Sequence, residues 1–190
     1  DVARLAIVAL ELERRTGDRA WSAILYRALA FLSDASDDNG LGMRNFMTYD
    51  RQWIDNAHVG DHVGRAIWAL GDVLTTAWVP ALVDPAQHLL AALVRSFAKD
   101  LPLRTAAYTA LGLARLDADR LAPDAQALLE RCVTKLETAY EETAGPGWSW
   151  FEDSLRYDNA RVPQALILGG VALGRPEATA TGLTALAWLG

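Results

Sequence analysis

The chain has 190 residues, of which 52% are hydrophobic and 22% are charged, and its net charge is −6. This composition is typical of one globular domain that can bury a sizeable core. Lysine and arginine are scattered through an acidic chain. Because nucleic-acid binding needs a basic surface that neutralises phosphates, we expect no nucleic-acid partner.

The sequence shows no signal peptide and no apolar run long enough to cross a bilayer. Its single cysteine, Cys132, stands in an apolar helical pattern, which predicts a buried thiol, and it cannot form an internal disulfide. We therefore expect a cytoplasmic protein with no membrane partner. The oligomeric state is left open.

Apolar residues recur at helical spacing along the chain, and no segment alternates as a strand would. Asp84 is the expected N-cap of the fourth helix. Pro163 is compatible with a helix only near its start, so the seventh helix is expected to begin near Asp158 or Asn159. The eight predicted helices cover about residues 5–15, 20–32, 64–78, 85–98, 102–113, 123–142, 157–173 and 176–189.

Short connections make consecutive helices antiparallel, so successive connections alternate between two ends of the helical array. The connections after the second, fourth and sixth helices then share one end. Antiparallel hairpins in series build α-solenoids and α/α toroids, and no fixed sequence period indicates a known solenoid repeat. We predict an all-α fold in which antiparallel helical hairpins form part of an α/α toroid. Residues 1–190 are expected to be a single domain and part of a larger toroid, because the pattern begins without a cap and ends within an apolar helix.

Two long connections, residues 34–62 and 145–156, lie at the predicted shared end. Long irregular connections within a compact domain are typically functional, and these are too rich in aromatic residues to be disordered. Sugars are bound by such mixtures, because their C–H faces stack on rings while their hydroxyls need polar partners. The candidate substrate-binding residues are Arg44, Tyr49, Trp53, His58, His62, Arg65, Trp148, Trp150, Tyr157, Asn159 and Arg161.

Hydrolysis of a glycosidic bond needs two carboxylates that face each other across the bond. The candidate catalytic residues are Asp50, Asp55, Asp61, Glu152, Asp153 and Asp158. The alternative interpretation is that the aromatic residues close the open end of the helical core and that Glu152 and Asp153 are a solvated pair before a helix.

Metal binding is a weaker interpretation of the first connection. His58 and His62 are four residues apart, but Gly60 interrupts the helix that this spacing would need. The turn Asp37-Asp38-Asn39-Gly40 lacks the other ligands of a calcium loop. We expect no metal and no cofactor.

Three segments carry a resemblance to a known family: GMRNFMTYDR at 42–51, GRAIWALG at 64–71 and WSWFEDSLRYDNAR at 148–161. They resemble motifs of bacterial α/α-toroid proteins that are labelled as glycosyltransferases or mannosyltransferases and grouped with the six-hairpin glycosidases. The resemblance covers most of the chain. It implies an (α/α)6 barrel with a carbohydrate site on one rim, of which this chain would be a fragment.

The predicted function is a carbohydrate-active domain that acts on or binds an oligosaccharide or glycan. A glycoside hydrolase-like enzyme that uses acidic residues of the two connections is favoured. The alternatives are a non-catalytic glycan-binding or scaffold domain that works beside a glycosyltransferase, and a helical protein-interaction module.

Overall fold

The structure, a computed structural model, describes residues 1–37, 39–76, 80–97, 101–117 and 121–190. Within these ranges the chain forms eight α-helices, and its extended pairs are isolated bridges rather than strands. The predicted all-α class is confirmed. The helices are α1 (Val2–Thr16), α2 (Ala20–Ala35), α3 (Asp61–Thr76), α4 (Val83–Arg95), α5 (Leu103–Leu113), α6 (Pro123–Thr143), α7 (Arg161–Ala172) and α8 (Pro176–Leu189).

Several helix ends differ from the prediction. Helix α4 begins at Val83, which places Asp84 in its first turn instead of at its N-cap. Helix α1 begins with a cap after all, because the Asp1 carboxylate accepts the backbone N–H of Arg4 at 3.2 Å. The predicted ends of the third and fourth helices at Trp78 and Ala98, and Asp38 of the predicted turn, lie outside the described residues.

The eight helices form two layers of hairpins. Helices α1, α3, α5 and α7 pack side by side in that order, and each packs against the helix that follows it in the chain. At one end of the array, Arg65 of α3 forms an ion pair with Asp1 before α1, and Thr105 of α5 donates a hydrogen bond to Asp61 of α3. The starts of α1, α3 and α5 therefore lie together, as the alternation of connections predicts.

The centre of the core is the pair α3 and α5, which approach unusually closely. A Cβ atom added to Gly71 would lie 2.2 Å from the carbonyl oxygen of Gly112, and one added to Gly112 would lie 2.3 Å from that of Ile67. Both glycines are required because the backbone of one helix occupies the space of the missing side chain on the other. The close approach continues to the helix starts, where a Cβ atom added to Gly64 would lie 2.8 Å from the carbonyl oxygen of Thr105.

Cys132 is fully buried on α6, as predicted, and burial raises the pKa of its thiol to about 12. None of the helices in the described ranges combines the length and the apolar character needed to cross a membrane.

We expect Gly112→Ala to lower the free energy of unfolding by about 1–3 kcal/mol, because the added methyl group overpacks the contact between α3 and α5. The loss should occur even though alanine favours a helix by about 1 kcal/mol relative to glycine. Chemical denaturation measures it. Gly145→Ala is the matched control, because a Cβ atom there meets nothing within 4 Å. Equal stability of the two variants would contradict the packing role.

The buried carboxyl of Asp72 on α3 makes the stability of the fold depend on pH. The residue is 7% exposed, and burial raises the pKa of its carboxyl to about 6 although Arg115 Nε lies 2.7 Å away. Because burial favours the protonated carboxyl in the folded chain, protonation of Asp72 raises the free energy of unfolding. This contribution is complete below pH 3.8 and is lost as the pH rises through 6. Relative to the wild type, Asp72→Asn should therefore gain about 1–3 kcal/mol in unfolding free energy between pH 4 and pH 7. A difference that stays constant over this range would show that the carboxyl titrates alike in both states.

Candidate functional site

Polar side chains of α3, of α5 and of the connection before α7 meet where these three helices begin. We call this group the rim cluster. It consists of Asp61 of α3, three residues of α5 and four of the connection before α7: Asp61, Arg104, Thr105, Tyr108, Glu152, Tyr157, Asp158 and Asn159.

Asp61 joins the two long connections. Its Oδ1 accepts a hydrogen bond from Thr105 Oγ1 at 2.8 Å, and its Oδ2 accepts one from the hydroxyl of Tyr157. Burial and this bond to Asp61 raise the pKa of Tyr157, so its phenol stays protonated and donates. A carboxylate at the first residue of α3 is also favoured by the helix dipole.

The backbone of Asp158 has a conformation that residues other than glycine rarely adopt. Its φ is +53°, in the left-handed region, which ends the connection and makes α7 begin at Arg161 rather than at the predicted position. Its Oδ2 accepts a hydrogen bond from the Tyr108 hydroxyl at 2.6 Å, and its Oδ1 lies 3.7 Å from Arg161 Nε. Burial and the bond to Asp158 raise the pKa of Tyr108 above its usual range. The phenol therefore stays protonated and donates to Asp158.

Arg104 anchors the second connection on α5. Its Nε donates to the Tyr157 carbonyl at 2.7 Å, Nη1 to Glu152 Oε2 at 2.7 Å and Nη2 to Asn159 Oδ1 at 3.1 Å. The guanidinium also lies 4.7 Å from the centre of the Tyr157 ring. With only 6% of Arg104 exposed, these contacts replace the water that a buried charge loses.

A column of stacked side chains supports the cluster from inside the array. Tyr108 and Trp68 lie parallel with ring centres 6.1 Å apart, Arg65 lies over Tyr108 at 5.5 Å, and Arg161 lies over Trp68 at 4.8 Å. These contacts combine residues of α3, α5 and α7, so the three helix starts are fixed relative to one another.

The predicted stacking role of Trp150 is wrong in this structure. Its ring is 0% exposed and packs against Phe151 and Trp188, so no sugar can reach it. Trp148 packs edge to face on Trp188 and donates to the Glu152 carbonyl at 2.8 Å. For these two tryptophans the alternative interpretation, that they close the end of the core, fits the structure.

Several candidates of the first connection maintain its fold. The Asp55 carboxylate accepts the backbone N–H groups of Asn45 and Phe46 at 2.8 and 2.9 Å. Trp53 packs against Phe31 of α2, and its Nε1 donates to an oxygen of Asp34 at 3.2 Å. Both side chains are therefore already engaged, and the structure does not place them in the rim cluster.

The remaining acidic and aromatic candidates are more exposed. Tyr49 and Asp50 lie in an exposed turn of the first connection, and the Asp153 side chain is 87% exposed. The structure brings none of these three into hydrogen-bond contact with the rim cluster in the part of the chain that it describes.

The two histidines contact each other but occupy different environments. Their ring centres are 4.6 Å apart; His62 Nε2 lies 2.9 Å from the Met43 carbonyl and His58 Nδ1 lies 3.0 Å from that of Asn56. Burial lowers the pKa of His62, so its ring is neutral at pH 7. Among the described residues, no group of three or more histidine, cysteine or acidic side chains is placed to hold a metal ion.

Sequence reasoning missed three central residues, Arg104, Thr105 and Tyr108. They lie on α5, whose start was predicted at the same end as the two long connections, but the predicted site comprised only residues of those connections and of the helix starts that follow them. An arginine directly after the Pro102-Leu103 helix start was the available signal, because a cation is unfavourable in the first turn of a helix unless it has a partner.

No protein-family model and no curated protein matches the chain. The functional proposal therefore depends on the geometry of the rim cluster.

Arg104 and Arg156 offer a matched test, because both pair with Glu152. Arg104→Ala should lower the unfolding free energy by about 3–5 kcal/mol, since it removes a buried charge and leaves Glu152 without its main partner. Arg156 is 57% exposed and lies 3.4 Å from Glu152, so Arg156→Ala should cost less than about 1 kcal/mol. Urea denaturation of both variants measures the contrast, and similar losses would show that burial of Arg104 is not what stabilises the connection.

Proposed function

We propose that the chain is a glycoside hydrolase-like domain of α/α-toroid type, with its glycan site at the rim cluster. The observation that carries this proposal is the convergence of Asp61 and Asp158, from two distant connections, on one face of α5. The hairpins form two layers, and residues at or just before the starts of α1, α3, α5 and α7 lie at one end of the array. This arrangement supports the toroid.

Asp61 and Asp158 are the best candidates for the pair of carboxylates that glycoside hydrolysis requires. Their hydrogen-bond donors, Thr105 and Tyr108, are three residues apart on α5, where side chains lie roughly 5–6 Å from each other at Cβ. Carboxyl groups roughly 5–10 Å apart fit across a glycosidic bond. One would protonate the leaving oxygen, and the other would attack the sugar or activate a water.

Glu152 is a poorer catalytic candidate than the sequence indicates. It is paired with Arg104 at 2.7 Å and with Arg156 at 3.4 Å. Each of its two carboxylate oxygens therefore already faces a guanidinium group, which leaves neither oxygen free for a substrate. Its proposed role is to hold the second connection on α5.

Tyr157 and Arg161 supply groups that a sugar could contact. Tyr157 is 55% exposed and its hydroxyl donates to Asp61, and the exposed part of its ring is the proposed stacking surface. Arg161 is partly exposed and adjacent to Asp158. Both residues are among the substrate-binding candidates of the sequence analysis, and Tyr157 is the proposed stacking ring in place of Trp148 and Trp150.

We expect Asp61→Asn and Asp158→Asn each to reduce kcat on mannose- or glucose-type oligosaccharides by about 100-fold or more, as the loss of an acid or base does. Unfolding curves would establish that both variants fold. Asp153→Asn is the matched control, because it alters an exposed carboxylate of the same connection and should leave turnover unchanged. Full turnover in both cluster variants would remove Asp61 and Asp158 from the catalytic role.

A glycan-binding role without hydrolysis is the second candidate, and one observation favours it. Both Asp61 and Asp158 already accept hydrogen bonds from phenols, as carboxylates do when they position other groups. Wild-type protein whose mobility falls in a gel that contains the glycan, but which releases no product from that glycan, would support this role. Absence of both binding and turnover would favour the protein-interaction module.

A further inference from the structure

Beside the rim cluster lies a cleft between α1, α2, the first connection and α3, with a volume of about 340 Å³. This is the size of a small-ligand site. Its charged lining among the described residues consists of one aspartate and three arginines: Asp1, Arg4, Arg44 and Arg65. In a chain with a net charge of −6, this local excess of positive charge is the opposite of the overall balance.

Asp1 compensates only part of this charge. Its Oδ2 lies 2.9 Å from Arg4 Nε and 2.7 Å from Arg65 Nε, so a single carboxylate faces two guanidinium groups. Arg44 donates at 3.5 Å to the backbone carbonyl of Asp34, which is a neutral acceptor. His62, which also lines the cleft, is neutral at pH 7 because burial lowers its pKa.

The cleft and the rim cluster each include residues from the first turns of α3. Asp61 belongs to the cluster, and Arg65, one turn later on the same face of the helix, lines the cleft. Arg65 also lies over the ring of Tyr108, whose hydroxyl holds Asp158. A saccharide bound at Asp61 would therefore lie about one helical turn from Arg65.

We propose that this cleft binds an anionic substituent, a phosphate or a carboxylate, of the saccharide that occupies the rim cluster. The inference rests on the proposed function and specifies its substrate class as acidic saccharides. Guanidinium groups bind both anions with paired, charge-assisted hydrogen bonds. The surplus arginine charge of the cleft therefore favours an anionic occupant over a neutral one.

The test compares glucose 6-phosphate, glucuronic acid, glucose and inorganic phosphate in calorimetric titrations of the whole chain at low salt. Glucose 6-phosphate or glucuronic acid should bind at least about tenfold more tightly than glucose, and salt should reduce this difference. In Arg44→Gln the preference should fall by about tenfold, while the affinity for glucose stays the same. Arg65→Gln should act in the same direction if it folds.

Arg14→Gln is the control, because it alters an exposed arginine at the other end of α1 and should change no affinity. Equal binding of glucose and the two acids, or an anion preference that survives in Arg44→Gln, would overturn the proposal. Inorganic phosphate that binds as tightly as glucose 6-phosphate would also overturn it, since the sugar would then contribute nothing. Turnover that depends on Asp61 without any anion preference would refute this inference and leave the proposed function standing.

Discussion

The arrangement of the site depends on one buried cation. Arg104 projects from the first turn of α5, where the helix dipole opposes a positive charge, and so it requires acceptors from elsewhere. All three acceptors come from the connection before α7, at sequence separations of 48 to 55 residues. Because the guanidinium is planar and the directions of its donors are fixed, its hydrogen bonds determine where that connection lies on α5. The positions of Tyr157 and Asp158 depend on this contact.

The left-handed backbone at Asp158 depends on the same anchor. A non-glycine residue with positive φ is strained by about 1 kcal/mol or more, and it persists only when its surroundings determine it strongly. Here the Tyr108 hydroxyl and Arg161 hold the carboxylate on one side, while Arg104 holds Tyr157 and Asn159 on either side in the chain. With this backbone conformation the carboxylate of Asp158 contacts Tyr108 of α5. This contact places Asp158 on the same face of α5 as the donor to Asp61.

The shared end of the array could be predicted from sequence because the prediction depends only on the number of helices. Errors of a few residues, such as the start of α7 at Arg161, leave that number unchanged. The identity of the exposed and buried rings could not be predicted in the same way. Trp150 and Tyr157 stand seven residues apart in one motif, yet Trp150 is buried because Trp188, far along the chain, covers it. Local spacing contains no information about such a contact, nor about the acceptors of Arg104.

Opposite charges at the start of α3 are kept apart although they lie one helical turn from each other. Asp61 and Arg65 could form a local pair, as residues at this spacing often do. Instead Asp61 accepts bonds from Thr105 and Tyr157, and Arg65 turns to Asp1 and the ring of Tyr108. A local pair would cancel both charges, whereas the observed partners leave an acidic group facing the rim and a basic group facing the cleft. This separation is the physical condition for one bound molecule to present a hydroxyl to the first and an anion to the second.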